Sequence, residues 1–306
     1  MKKIKINEKL ITKFIEARAA VAKSKPLIHS IASIVAINDC ANAVLALGAK
    51  PITPDCPDEV CEITVISKAL TVTTANISTS RAEAIMLSGR TASEHNIPMV
   101  IDMVGVTCSK MRFNLVNEFI EKYQPAVIKG NISEIKAVAG VDFENAGIDV
   151  SDKDVIRTDK WLEESLNVPN LSAKNPTESF EVSSILAEAA ELIKELSLKT
   201  GAVVMASGET DIISDGHSIY LLENGSANMA NVTGTGCMLN VITGVYLAVT
   251  DPITASLLAA ATLSICGELA DSGKGLGTYH ISLIDELSKF SDEKLLQNIR
   301  AYEIIG

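Results

Sequence analysis

Apolar positions along this chain recur in two alternating rhythms. Leu10, Phe14, Ala17 and Val21 stand three or four apart within residues 7–23, the spacing of one helix face. Pro26 interrupts, and a second helix is predicted over 34–47, with Ile37, Ala41, Val44 and Leu45 facing inward and Gly48 as its stop. Lys50-Pro51-Ile52-Thr53-Pro54 reads as a short extended piece, and 57–68 as a helix. A β-branched run at 70–74 precedes a helix from Ser78 or Thr79 to near Asn96. Residues 98–102 form an apolar strand that ends in the carboxylate of Asp102. The rhythm continues with a helix at 113–123, a strand at 126–128 and a helix at 133–139. It resumes with a helix at 181–199, a strand at 202–206 and a hairpin pairing 211–214 with 218–222. Two helices close the pattern, 237–249 and 253–271, the second apolar nearly all round and therefore expected to be buried.

Strands alternating with helices imply parallel pairing and a three-layer α/β/α architecture with a mostly parallel central sheet. Residues 141–180 break the pattern, with two prolines and the single tryptophan, Trp161. A connection this long is uncommon in a compact domain, so it reads as an insertion in one domain spanning 1–306.

One polar stretch runs straight into the penultimate helix: Asn231-Val232-Thr233-Gly234-Thr235-Gly236-Cys237. The first turn of a helix has N–H groups without intrahelical partners, and the macrodipole adds partial positive charge there. Glycines let that backbone approach closely, which suits an oxyanion or phosphoryl group. Cys237 sits at the helix entrance, where a thiol's pKa is expected to fall. The plain alternative is a glycine-rich loop before a core helix carrying a packing cysteine.

Composition narrows the classes. The chain has 306 residues, 47% hydrophobic and 21% charged, enough for a sizeable core. A net charge of -11 argues against nucleic-acid and anionic-membrane partners, both of which want basic patches. No apolar run reaches the roughly 18 residues of a membrane span. The six cysteines lack metal-type CxxC pairs and follow no secretory signal, so reduced thiols in the cytoplasm are expected. The four histidines show no triad spacing, and His95 and His217 are expected at the surface.

On the Gly234-Thr235-Gly236-Cys237-Met238-Leu239 motif, the chain resembles the hydroxyethylthiazole kinases, a ribokinase-like branch with Cys where most of that superfamily has Asp. The resemblance spans 26–140 and 201–271, and Lys129-Gly130-Asn131-Ile132-Ser133-Glu134-Ile135 is similar to the family's basic-Gly-Asn-x-x-Glu-Ile segment. It implies an ATP-dependent kinase acting on the primary hydroxyl of 4-methyl-5-(2-hydroxyethyl)thiazole, a thiamine salvage step. Phosphoryl transfer relies mainly on positioning and charge neutralisation. The implied parts are an anion hole at Gly234, Thr235 and Gly236, with Gly234 also touching substrate, and Asp102 and Glu134 as Mg²⁺ ligands. Lys129, where the family has Arg, and Ser207 would contact ATP, Thr53 would line the substrate pocket, and Cys237 would take or orient the hydroxyl proton. Turn capping for Asp102 and a first-turn helix charge for Glu134 are their simpler readings.

The substrate side departs from the family. His29-Ser30-Ile31-Ala32-Ser33 replaces His-Asn-Ile-Thr-Asn, and Thr53 stands where a Met is usual. Asp102-Met103-Val104-Gly105-Val106-Thr107-Cys108 replaces Asp-Pro-Val-Gly-Ala-Gly-Ala, and Ala75-Asn76-Ile77-Ser78-Thr79 stands near an Asn-Ile-Gly-Thr segment. A related small alcohol, or a non-catalytic nucleotide- or thiazole-binding role, therefore stays open. The resemblance also implies a homotrimer whose pocket lies between subunits, with 28–33 and 51–54 at the interface.

Overall fold

The computed structural model describes residues 1–141 and 180–305. Their order is β1 (Lys2–Lys5), α1 (Glu8–Ser24), β2 (Leu27–Ile31), α2 (Ile37–Ala46), β3 (Lys50–Ile52), α3 (Val60–Ile66), β4 (Ala69–Thr73) and α4 (Thr79–Glu94). There follow β5 (Met99–Asp102), α5 (Lys110–Tyr123), β6 (Val127–Asn131), α6 (Ile132–Ala139), β7 (Phe180–Glu181), α7 (Ser184–Thr200) and β8 (Val203–Ser207). The chain ends with β9 (Asp211–Ser214), β10 (Ile219–Leu222), α8 (Thr235–Leu247), α9 (Pro252–Ala270), α10 (Leu276–Ser288), α11 (Asp292–Asn298) and β11 (Ala301–Ile305). The expected insertion, apart from its end residues, lies outside the described residues.

Local chemistry explains most helix starts. Asn7, Ser78, Ser109, Asn131, Ser183, Asp251 and Ser291 each accept a backbone N–H from the first turn that follows. Ser109 is why α5 begins at Lys110, three residues before the periodicity suggests.

The eleven strands run β3-β2-β4-β5-β6-β8-β9-β10-β11-β1-β7. From β3 to β8 every pairing is parallel, and from β8 to β7 every pairing is antiparallel. Successive strand residues point to opposite faces. Val100, Val127 and Val203 therefore join a core under α1, α2, α8, α9, α10 and α11. Ile101, Ile128 and Val204 join a second core under α3 to α7. This is the three-layer arrangement the alternation implies.

Several boundaries differ from the sequence expectation. The second helix starts at Ile37, leaving Ile34 and Val35 each 61% exposed, and Leu45 is 56% exposed instead of facing inward. Strands β1, β7 and β11 and helices α10 and α11 carry no expectation above; the strands extend the expected β9–β10 hairpin into the antiparallel half of the sheet, and the helices supply part of one core. Helix α9 is long and apolar enough to cross a membrane, but 83% of its apolar window is buried inside the fold. It is a core helix.

Candidate active site

The carboxyl ends of the parallel strands and the start of α8 meet on one edge of the sheet. Two adjacent strands carry the charged centre. Asp102 and Lys129 are register partners on β5 and β6, so their side chains leave the same face side by side. Lys129 Nζ donates to Asp102 Oδ1 at 2.9 Å, and both residues are buried, at 3% and 0% exposure. The second carboxylate oxygen, Asp102 Oδ2, is buried without a hydrogen-bond partner. Turn capping does not describe this residue, because neither oxygen accepts from a turn N–H.

Glu134 is held differently. Asn131 and Glu134 form a reciprocal capping box at the head of α6: Asn131 Oδ1 accepts the Glu134 N–H at 2.9 Å, and Glu134 Oε2 accepts the Asn131 N–H at 2.8 Å. Its other oxygen accepts the Gly105 N–H at 2.8 Å and so ties the loop after β5 to α6. Glu134 is thus a structural clamp as well as a candidate ligand.

Helix α8 is seated by close packing. A Cβ at Gly244 would lie 2.2 Å from Thr71 Cγ2 on β4, so only glycine lets the helix lie this close to the sheet. Its start is unlike the capped helices. Gly234 occupies the N-cap position at φ +94° with no side-chain cap bond, and Gly236 is exposed. The N–H groups of Thr235, Gly236 and Cys237 lie in the first turn, where a helix supplies no partner. The Thr235 hydroxyl donates to Met229 O at 2.9 Å, anchoring the preceding turn Ala227–Asn231. Lys129 Nζ comes within 3.6 Å of where a Cβ on Gly236 would stand. An anion seated on this turn would therefore have the ammonium beside it.

Burial governs the electrostatics. It pushes the Asp102 carboxyl upward, against the pull of Lys129. It disfavours the Lys129 ammonium as well, but Asp102, with Cys237 and Glu134 behind it, more than offsets that, and the Lys129 pKa is raised. Glu134 is pushed up to about 7, by burial first and then by the charge of Asp102. The Cys237 thiol is pushed up to about 12 by burial and by Asp102, despite Lys129 and a backbone hydrogen bond from Ser33. The lowered thiol pKa expected from the helix entrance is thus corrected: desolvation outweighs the terminus, and the resting group is a neutral thiol.

The remaining expected residues lie further out. Ser207 ends β8 opposite Asn131, and its hydroxyl approaches Gly130 O at 3.4 Å. Thr53 is half-buried just beyond β3, the outermost parallel strand, with two strands between β3 and β5. His29, which carries no expected role, is wholly buried and holds that outer segment: its Nε2 donates to Pro54 O at 3.0 Å, while Nδ1 meets the Thr64 hydroxyl at 2.9 Å. Burial lowers its pKa, which fits a neutral ring. His95 and His217 are exposed, as expected. Sequence reasoning missed the polar pair Ser33–Asn76 and the buried Arg81, which bonds both Ala32 O and Asp55. A basic residue in a helix first turn was the available signal for Arg81.

Among the described residues, no group of three or more His, Cys, Asp or Glu is arranged to hold a metal. Mg²⁺ commonly takes one or two carboxylates plus phosphate and water oxygens. The unpartnered Asp102 Oδ2 fits that donor set, and each Glu134 oxygen keeps an acceptor site beyond its single backbone bond.

An uncapped, open helix start beside a buried lysine–carboxylate pair, at the carboxyl edge of a parallel sheet, is a candidate phosphate-handling site on a ribokinase-like fold. The fold is shared with the pyridoxal kinase of Staphylococcus aureus solved with AMP-PCP and pyridoxal, at TM-score 0.53 and 17% identity over 80% of this chain and 88% of that one. The chain belongs to the hydroxyethylthiazole kinase family, whose model matches residues 19–165 and 173–293. It is therefore a phosphotransferase with an alcohol acceptor, and ATP is its co-substrate. Hydroxyethylthiazole kinase 2 of Clostridium botulinum is 40% identical over 285 residues, covering 93% of this chain and 98% of its own. Hydroxyethylthiazole kinase 1 of Methanosphaera stadtmanae is 37% identical, covering 90% and 91%. The solved hydroxyethylthiazole kinase of Pyrococcus horikoshii superposes at TM-score 0.79, with 27% identity over 96% of this chain and all of that one.

Proposed function

We propose that this protein transfers the γ-phosphoryl group of ATP to the primary hydroxyl of 4-methyl-5-(2-hydroxyethyl)thiazole, in the thiamine salvage branch. The observation that carries the site assignment is Lys129 Nζ, 2.9 Å from Asp102 and 3.6 Å from the Gly236 Cβ position. The first-turn N–H groups of Thr235, Gly236 and Cys237 hold the transferring phosphoryl oxygens, and Lys129 neutralises charge that builds there. Asp102 keeps Lys129 cationic and, with Glu134, offers carboxylate oxygens to Mg²⁺. When bound, Mg²⁺ would offset phosphate charge and orient the phosphate oxygens. Ser207, at the end of β8, contributes its hydroxyl to the nucleotide.

Cys237 orients the alcohol. A thiol held near 12 is a poor resting base at neutral pH, so its part is to align the hydroxyl beside the phosphoryl group, receiving the proton only as the oxygen bonds phosphorus. A second reading keeps this chemistry and changes the alcohol. It is favoured by the polar Ser33–Asn76 and Arg81–Asp55 contacts in the very loops that depart from the family's pattern.

We also propose a homotrimer in the cytoplasm, with Thr53 lining a pocket shared between neighbours. Support comes from the apolar residues left exposed on elements flanking the first loop, Ile34, Val35, Leu45 and Ile66, and from six free cysteines. The test is Mg²⁺-dependent ATP consumption by the purified protein with hydroxyethylthiazole, hydroxymethylpyrimidine and pyridoxal as separate acceptors. Turnover with the thiazole alcohol at least about tenfold above the others is expected. Preference for another acceptor would replace the substrate, and ATP binding without turnover would support the non-catalytic reading.

A further inference from the structure

Arg81 occupies an expensive position. It sits in the first turn of α4, where the helix dipole disfavours a cation, and it is buried with Nε unpartnered. Its guanidinium nonetheless reaches two separate loops, with Nη2 donating to Ala32 O at 2.5 Å and Nη1 to Asp55 Oδ2 at 2.5 Å. Asp55 is half-exposed, and an ion pair of that kind contributes little to stability, too little to offset burial of the cation.

Ala32 O and the Ser33 N–H belong to one peptide group. Being trans, that group points its oxygen and its N–H in opposite directions. Arg81 grips the oxygen end, and the N–H end faces Cys237. Two further contacts fix the same loop: the Ser33 hydroxyl bonds Asn76 Oδ1, and Ala36 Cβ lies 2.8 Å from where a Cβ on Gly234 would stand. The loop 32–36 is therefore wedged between α4 and the start of α8.

We infer that Arg81 is a positioning residue for phosphoryl transfer, holding the Ala32–Ser33 peptide against Cys237 and the 32–36 loop against the anion site. This rests on the kinase reading given above. Acting on the alcohol side of the site, Arg81 should influence turnover far more than nucleotide binding.

The test uses Arg81→Gln and Arg81→Lys in the full chain, with two independent readouts. Amide hydrogen exchange followed by mass spectrometry should show residues 31–36 exchanging about tenfold faster in Arg81→Gln, while β6 and the body of α8 are unchanged. Steady-state kinetics should show kcat down by about tenfold or more with KM for ATP within about twofold, and Arg81→Lys recovering part of the loss through its one remaining donor. Unchanged exchange at 31–36 would overturn the clasp. Faster exchange throughout the chain, or kcat and KM for ATP worsening together without rescue by lysine, would reduce Arg81 to a structural residue and also overturn it. If the wild-type protein consumes no ATP with any alcohol, the kinase reading fails, and local exchange alone decides the clasp.

Discussion

Gly234 and Gly236 stand two residues apart, yet adding one methyl group should do opposite things to them. Gly234 has φ +94°, where an L-residue costs about 1–2 kcal/mol. Its new Cβ would also meet Ala36 Cβ at 2.8 Å, a distance that forces one loop to move, at about 1–3 kcal/mol by the experience of overpacked cores. Gly234→Ala should therefore lose about 2–5 kcal/mol, a large part of an ordinary stability of about 5–15 kcal/mol. Gly236 has no positive φ, and its added Cβ would meet only Lys129 Nζ, at an ordinary 3.6 Å. Alanine is also the better helix former by up to about 1 kcal/mol, so Gly236→Ala should be as stable as wild type or slightly more so. That methyl, however, projects into the open space beside the ammonium, where the phosphoryl group would sit. Losing a single oxyanion contact typically costs about 10²–10³ in rate, so kcat/KM for ATP should fall by about that much. Urea unfolding at constant m-value and steady-state kinetics on both variants are sufficient. An unchanged urea midpoint for Gly234→Ala would refute the strain reasoning. Wild-type kinetics for Gly236→Ala would mean that this turn is not where the phosphoryl group binds.

Other expectations follow from the same geometry. Under the proposed roles, with backbone N–H groups holding the phosphate and the thiol aligning the alcohol, Cys237→Ala should lower kcat more than ATP affinity measured by titration; equal losses would remove that role. Asp102→Asn leaves the Lys129 ammonium buried without its partner and should cost about 3–5 kcal/mol in urea unfolding, and a loss under about 1 kcal/mol would show the pair to be weak. Glu134 keeps a proton in the folded chain up to about pH 7, whereas an unfolded glutamate releases it near 4.5. Its contribution is therefore full below about pH 4.5 and lost as pH rises toward 7, at about 1.4 kcal/mol per pH unit. Glu134→Gln should flatten that fall in unfolding free energy between pH 5 and 7, and parallel curves would contradict the shift. Light scattering at micromolar concentration should give about three times 32.5 kDa, and a species of 32.5 kDa would end both the trimer and the shared pocket.

What could be read from the sequence was whatever lies close together along it. The candidate anion turn is contiguous from Gly234 to Cys237, and Glu134 lies within one helix turn of Asn131, so residue type and spacing located both segments, while the capping box between Asn131 and Glu134 came only with the structure. Helix α9 was legible because all its faces are apolar. The Lys129–Asp102 pair was legible only as two separate strand ends, since their 2.9 Å contact depends on the register between β5 and β6. The β9–β10 hairpin was legible from its own short turn, but the strands that extend it were not: β1 pairs with β11 from opposite ends of the chain, and neither strand has a local signal for its partner. Cys237 shows the limit most sharply. Its position at a helix entrance argued for a lowered pKa, and burial against the core together with the charge of Asp102 reversed the sign. A local motif locates the thiol, but its protonation is decided by residues more than a hundred positions away. That division also explains why Arg81 escaped notice. Its value lies in a carbonyl 49 residues earlier in the chain, whose peptide carries the contact on to the start of α8.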